Sequence, residues 1–241
     1  MPRFYCPTPL TAQHTMALPD ALAHHAVRVL RLKNNSPITL FDGTGGEYQA
    51  ILHIDGKHAF AQLGDKDPIE RELPGHITLA QGLASGDKMD WIIEKAVELG
   101  ATRVVPIAAR RSVLQLSGSR TEKRLQHWEK TIQSACEQCG RNRLPTVTAP
   151  VSLADFLASG TAGLTLLCHP QSSTTLAQAV AGLTTPHITL LVGPEGGWSD
   201  EETATALKHG ATQISFGARV LRTETAGLAM ISAISALLGW H

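Results

Sequence analysis

The pattern of apolar and polar positions changes character near residue 70. Residues 37–64 hold three short apolar runs, Ile38-Thr39-Leu40-Phe41, Tyr48-Gln49-Ala50-Ile51-Leu52 and Ala59-Phe60-Ala61-Gln62-Leu63. Asp42-Gly43 and Asp55-Gly56 separate them as hairpin-type turns. The pattern predicts a small antiparallel β unit of barrel type, entered through a short helix from Asp20 to about Leu30. Gly64 to Gly75, with its charges and two prolines, reads as a linker.

From His76 onward strands and helices alternate. Ile77 to Leu83 predicts a strand, Lys88 to Leu99 a helix stopped by Gly100, and Arg103 to Ala108 a second strand. Glu122 to Cys139 predicts a long helix that ends at Gly140, ahead of Pro145. Leu164 to Cys168 and Ile188 to Val192 are continuous apolar runs, as strands covered on both faces require. A short strand at Ile214 to Phe216 and a helix from about Thr225 to Leu238 complete an α/β domain with a mainly parallel sheet.

Composition narrows the class. Of 241 residues, 43% are hydrophobic and 17% charged, as in an ordinary globular protein. No apolar run has the ~20 residues needed to span a bilayer, and the N-terminus lacks a signal-peptide core, so a cytoplasmic protein is expected. Cys6, Cys136, Cys139 and Cys168 suggest no disulfide framework, and the single Cys136-x-x-Cys139 has no second pair to complete a zinc site. His24 and His25 point in different directions on a helix, which disfavours a shared metal.

The formal net charge is zero, but its distribution is uneven. Residues 102–145 carry 9 basic and 3 acidic groups, whereas the segments on either side are each net −3. A basic stretch of this kind is either a polyanion surface or a solvated helix face, and charge alone leaves both open.

Two strand-to-helix turns carry the candidate chemistry. The first runs through Val192-Gly193-Pro194-Glu195-Gly196-Gly197 to Ser199, where Ser199 and Glu202 form a capping-box signal. The second is Ser215-Phe216-Gly217-Ala218-Arg219-Val220-Leu221-Arg222. On neighbouring strands the two would form one cleft at the carboxyl end of the sheet, although each alone could be a plain connection. Gly43-Thr44-Gly45-Gly46 lacks a dinucleotide fingerprint, and no P-loop, G-x-S-x-G elbow or H-E-x-x-H occurs. Hydride transfer, triphosphate hydrolysis, serine hydrolysis and zinc proteolysis therefore lose support.

At these residues the chain resembles a known family. Gly193 to Gly197 and Arg219-Val220-Leu221-Arg222-Thr223-Glu224-Thr225-Ala226 resemble the bacterial RsmE family of the SPOUT superfamily. His24 to Arg31, Met89 to Gly100, Arg111-Ser112-Val113, Glu137 to Arg141 and Cys168-His169-Pro170 extend the resemblance over nearly the whole chain. Phe216 departs from it, standing where leucine is expected. The resemblance implies methylation of N3 of a uridine in small-subunit (16S) ribosomal RNA, with S-adenosyl-L-methionine as donor and no metal. It also implies a PUA-like RNA-binding barrel at 1–70, a SPOUT methyltransferase domain at 71–241 with a C-terminal trefoil knot, and a homodimer.

The cofactor site so implied comprises Cys168, His169, Val192, Gly193, Pro194, Glu195, Gly196, Gly197, Ser215, Phe216, Gly217, Val220, Leu221 and Arg222. His169 could equally cap a strand end. Arg222 is the first choice for stabilising a uridine anion, Arg219 for substrate contact and Glu195 for a base, with a hydrogen bond within its own loop as the alternative role for Glu195. Arg3, Arg28, Arg31, Arg110, Arg111, Arg141 and Arg143 are the candidate RNA contacts. Two other readings remain at this point: a non-catalytic RNA-binding or ribosome-assembly protein, and a SPOUT methyltransferase acting on a different RNA.

Overall fold

A computed structural model describes residues 1–114 and 116–240. The chain forms two compact units: residues 1–72 with 136–144, and residues 73–135 with 145–241.

The first unit is built on a five-stranded sheet in the order β1-β3-β4-β5-β2. Its strands are β1 (Arg3–Tyr5), β2 (Thr15–Ala17), β3 (Pro37–Phe41), β4 (Glu47–Asp55) and β5 (His58–Asp67). Along β4 and β5, Ala50, Leu52, Ala59, Ala61 and Leu63 alternate inward to a core shared with Phe4, Ile38 and Leu40. Helix α1 (Asp20–His24) continues as a π-helical turn, His25–Val29. That turn leaves Arg28, Val29, Leu30 and Arg31 exposed, with Arg31 at a positive φ of 54°.

The antiparallel unit expected over 37–64 is present, since β3, β4 and β5 pair antiparallel, and β1 adds to it parallel with β3. One expectation needs correction: the segment from Gly64 is not a free linker. Strand β5 runs on to Asp67, and the next residues are tied by charge: Glu70 pairs with Arg143, Arg71 with Glu47, and Glu72 with Arg141.

The second unit carries a six-stranded, all-parallel sheet in the order β11-β9-β10-β6-β7-β8. The strands are β6 (His76–Gly82), β7 (Arg103–Ile107), β8 (Thr146–Val147), β9 (Leu164–Cys168), β10 (His187–Val192) and β11 (Thr212–Ile214). The last ends two residues before the predicted limit, since Ser215 already bonds to the Thr174 carbonyl. Helices α4 (Leu153–Ala158) and α6 (Asp200–Lys208) share a core with Ala80, Val105, Leu167 and Leu191. Helices α2 (Lys88–Glu98), α5 (Leu176–Val180) and α7 (Thr223–Leu238) form another group, in which α2 and α5 each pack on α7. Gly100 and Gly140, with φ of 95° and 90°, stop α2 and α3 (Ser119–Cys139) as the sequence implies. Among the described residues no helix is long and apolar enough to cross a membrane.

Asp90 anchors α3 to α2. Its carboxylate accepts from the indole N–H of fully buried Trp128 at 3.0 Å and from His127 at 2.8 Å, with Arg124 beside it. We expect Asp90→Ala to strand the indole donor and cost about 2 kcal/mol. Thermal unfolding should then fall by about 4–8 °C, and an unchanged midpoint would discount this anchor.

Candidate cofactor cleft and active site

The chain order places a reversal in the middle of the parallel sheet. After β6 the chain moves outward through β7 and β8, then returns on the other side with β9 and inserts β10 between β9 and β6. Open α/β sheets bind ligands outside the carboxyl ends of strands at such a reversal. Here the loops after β10 and β11 meet over the strand ends and enclose a cavity of about 590 Å³, a size suited to a small-molecule cofactor.

Three segments supply its wall. The end of β9 gives Cys168 and His169, the loop after β10 gives Val192, Gly193, Pro194, Glu195 and Gly197, and the loop after β11 gives Ser215, Phe216, Arg219, Val220, Leu221 and Arg222. Gly196 and Gly217 stand outside this lining: Gly196 backs onto Arg111, whose guanidinium donates to its carbonyl at 3.3 Å, and Gly217 is exposed at a φ of 76°. Arg219 and Arg222 have no acidic partner among the described residues, so two uncompensated positive charges sit on the rim.

The loop after β10 is shaped by close backbone approach. A Cβ on Gly82 would lie 2.5 Å from both the nitrogen and the Cδ of Pro194, so only glycine lets β6 and the loop pack this tightly. At the loop's far end, Ser199 and Glu202 form the reciprocal capping box that starts α6, as expected.

Glu195 has a settled environment. Its Oε1 accepts from the Ser85 hydroxyl at 2.7 Å, the Ser85 N–H at 3.0 Å and Lys88 Nζ at 3.0 Å. Burial alone would raise this carboxyl, but these bonds and its own N–H outweigh burial and bring it down to about 2. A group so acidic is a poor acceptor for a proton at neutral pH. Of the two readings of Glu195, these bonds favour the carboxylate that holds its loop in place over the base.

The sign of the linkage follows from the depressed value. The anchoring is fully present above the ordinary 4.5 and is lost as pH falls toward 2. We expect Glu195→Gln to weaken cofactor binding about threefold to tenfold, yet leave the pH dependence of turnover unchanged between about pH 6 and 9. Loss of a basic limb from the pH–rate profile of that variant would restore the base assignment.

The other candidates divide by environment. Burial pushes the Cys168 thiol up to about 12, so it stays protonated at the cavity wall. His169 bridges both earlier readings: it lines the cavity, and its Nδ1 accepts from the Gln171 N–H at 3.3 Å at the end of β9.

Behind the lining, Gln81, Ser85 and Lys88 bond to the loop residues without having been nominated from the sequence, and Thr223 was quoted there only within the 219–226 motif. Gln81 left a signal as a lone amide before Gly82 in a largely apolar strand.

The arginines nominated for RNA also divide. Arg3 sits over the Phe41 ring at 4.3 Å and is bound to Glu47 and Asn142, while Arg141 is 4% exposed and paired with Glu72. Both are internal ties of the first unit, which corrects their assignment as phosphate contacts. Arg143 and Arg110 are exposed but paired, with Glu70 and Glu201. Much of the basic excess in 102–145 is thus neutralised by carboxylates from the acidic segments.

Comparison with known proteins settles the family. Residues 71–235 match the model of the RNA methyltransferase domain and residues 18–64 that of the RNA methyltransferase PUA domain. A ribosomal RNA small subunit methyltransferase E from Synechocystis is 35% identical over 228 residues, covering 93% of this chain and 74% of the relative. The chain belongs to the ribosomal RNA small subunit methyltransferase E family.

A Bacillus subtilis member is 32% identical, with 92% of this chain and 90% of that one covered. Among solved structures, the Neisseria gonorrhoeae methyltransferase E bound to S-adenosyl methionine has a TM-score of 0.89 at 37% identity, covering 98% of each chain. A Legionella pneumophila methyltransferase, in complex with the same cofactor, gives 0.90 at 32% identity over 98% of this chain and 97% of that one.

Proposed function

We propose that this protein transfers the methyl group of S-adenosyl-L-methionine to N3 of a uridine in 16S ribosomal RNA of the small subunit. The observation that carries the reading is the cavity at the sheet reversal, with Arg219 and Arg222, which have no acidic partner among the described residues, on its rim. Its lining fits the cofactor. Val220, Leu221 and Val192 suit the faces of an adenine ring, and peptide groups of Gly193, Gly197 and Ser215 suit its polar edge. When bound, S-adenosylmethionine supplies a methyl group already activated by its sulfonium.

The protein's own work concerns the nucleotide. N3 of uridine carries a proton and becomes nucleophilic only as that proton leaves to solvent water. With Glu195 held ionised by Ser85 and Lys88, the cleft favours electrostatic stabilisation of the uridine anion over a carboxylate base. Arg222, at the N-cap of α7, adds the positive end of that helix to its own charge. Arg219 is positioned to hold the substrate, and the target base must leave its stack to reach the cleft.

We assign RNA recognition to the PUA-type first unit and catalysis to the second. In the first unit, exposed Arg28 and Arg31 on the π-helical turn are the favoured phosphate contacts; in the second, it is Arg111, beside the cofactor loop. Replacing both Arg28 and Arg31 with Ala should weaken RNA binding and reduce the salt slope by about 2, with cofactor affinity unchanged. An unaltered slope would move the contact elsewhere.

The same reading places the protein in the cytoplasm as a homodimer whose C-terminal region is knotted. The insertion of β10 between β9 and β6 supports the knot, and Val220, 76% exposed at the cavity rim, supports a covering partner. Sedimentation tests the dimer. Methyl transfer from labelled cofactor to assembled small subunits, naked 16S RNA and transfer RNA, mapped by mass spectrometry, tests the activity. Labelling of transfer RNA alone overturns the ribosomal assignment.

A further inference from the structure

We infer that Gln81 and Thr223 are positioning residues that fix the Gly193 carbonyl and Arg222 in one geometry, so that the cofactor loop and the substrate-side arginine are set together. This inference rests on the methyltransferase reading above.

Gln81 is fully buried on β6, where neighbouring Ile77, Leu79 and Ala80 are fully buried too. A carboxamide in such a place is costly unless bonded, and an apolar residue of similar volume would fill the space. Its Nε2 donates to the Gly82 carbonyl at 3.1 Å and to Thr223 Oγ1 at 2.9 Å, and reaches the Gly193 carbonyl at 3.5 Å. Thr223 Oγ1 in turn donates to the Gly193 carbonyl. A hydroxyl has one proton, so the direction is fixed: Gln81 gives to Thr223, and Thr223 gives to Gly193.

The relay joins the two halves of the cleft. Gly193 opens the loop after β10, and Thr223 begins α7 directly after Arg222. Helix capping does not explain the hydroxyl, because the α7 N-cap is Arg222 and no side chain caps it. The helix comes close to Gln81 through Gly227, where a Cβ would stand 2.9 Å from Leu79 Cδ1 and 3.6 Å from Gln81 Oε1. A second tie joins the same elements: Lys88 Nζ lies 3.0 Å from Glu195 of the loop and 3.6 Å from Glu224 of α7. Residues 81–88 thus grip both loops at once.

The test compares Thr223→Val, which keeps the shape but loses the donor, with Thr223→Ser, which keeps the donor. We expect Thr223→Val to lower kcat at least about tenfold and weaken calorimetric cofactor binding about threefold. Thr223→Ser should recover both to within about threefold of the parent. In a cycle with Arg222→Ala, the double variant should lose less kcat than the product of the single losses, because a displaced Arg222 has less left to contribute. A purely structural Thr223 would instead lower thermal stability and give independent, multiplying losses.

Gln81→Met, which lacks both donors at similar volume, repeats the experiment if Thr223→Val is insoluble. Parent-like kinetics in the donorless variants, or multiplying losses with Arg222→Ala, overturn the coupling. Failure of the parent protein to bind S-adenosylmethionine would be distinguishable, since it removes the methyltransferase reading itself.

Discussion

Replacing Arg222 with Ala lowers the turnover of methyl transfer at least about 100-fold, while cofactor affinity stays within about threefold. The expectation follows from position and charge. Arg222 lines the cavity, lacks an acidic partner among the described residues, and sits where the N-terminal peptide groups of the 16-residue helix α7 add their partial charge. A charge that appears only as the N3 proton leaves is stabilised more in the transition state than in the ground state, so kcat falls rather than KM rising. Arg222→Lys should retain part of the rate, because a point charge remains without the planar fork. Single-turnover rates with labelled cofactor, beside calorimetric affinities, read both quantities. Turnover within about fivefold of the parent would move anion stabilisation away from Arg222.

Gly82→Ala should abolish cofactor binding at working concentrations, with a loss of affinity of about 100-fold or more. The added Cβ would meet the nitrogen and Cδ of Pro194 at 2.5 Å and the Gly193 carbonyl carbon at 2.9 Å. Those neighbours belong to the loop's own backbone and a proline ring, so no side chain can swing aside. Either β6 or the loop at 193–197 has to move, and the hydrogen bonds from Gln81 and Thr223 to the Gly193 carbonyl resist the second option. Overpacking of this kind costs about 1–3 kcal/mol, so the midpoint should fall by several degrees while the protein remains folded. Calorimetry and thermal unfolding separate the two effects. Full cofactor affinity in this variant would mean that the approach of β6 to Pro194 does not shape the pocket.

Both variants act on the cleft, and the cleft was only half visible in the sequence. Gly193 to Gly197 and Ser215 to Arg222 stood out as glycine-bearing turns after strands, and all of their residues except Gly196, Gly217 and Ala218 line one cavity. The residues behind them did not stand out. Ser85, Lys88 and Thr223 are ordinary surface or helix-start residues by local pattern, and their meaning comes from partners about 30 to 140 positions away, such as Thr223 with Gly193 and Gln81. Charge along the chain left two readings open for the same reason. Arg3 and Arg141 look free along the chain, yet the fold sets them against Glu47 and Glu72.

By itself, the sequence determined the local elements: alternating strands in the first unit, continuous apolar strands in the second, glycine stops at 100 and 140, and the capping box at Ser199. These depend on side-chain period, on φ preferences and on bonds spanning a few residues, all of which are written locally. The tertiary structure alone decided that β10 lies between β9 and β6, that Gly82 meets Pro194, that Glu195 is held ionised, and that Gln81 and Thr223 join the loops. Such contacts depend on strand order, and strand order is fixed by the packing of the whole sheet rather than by any one stretch of chain.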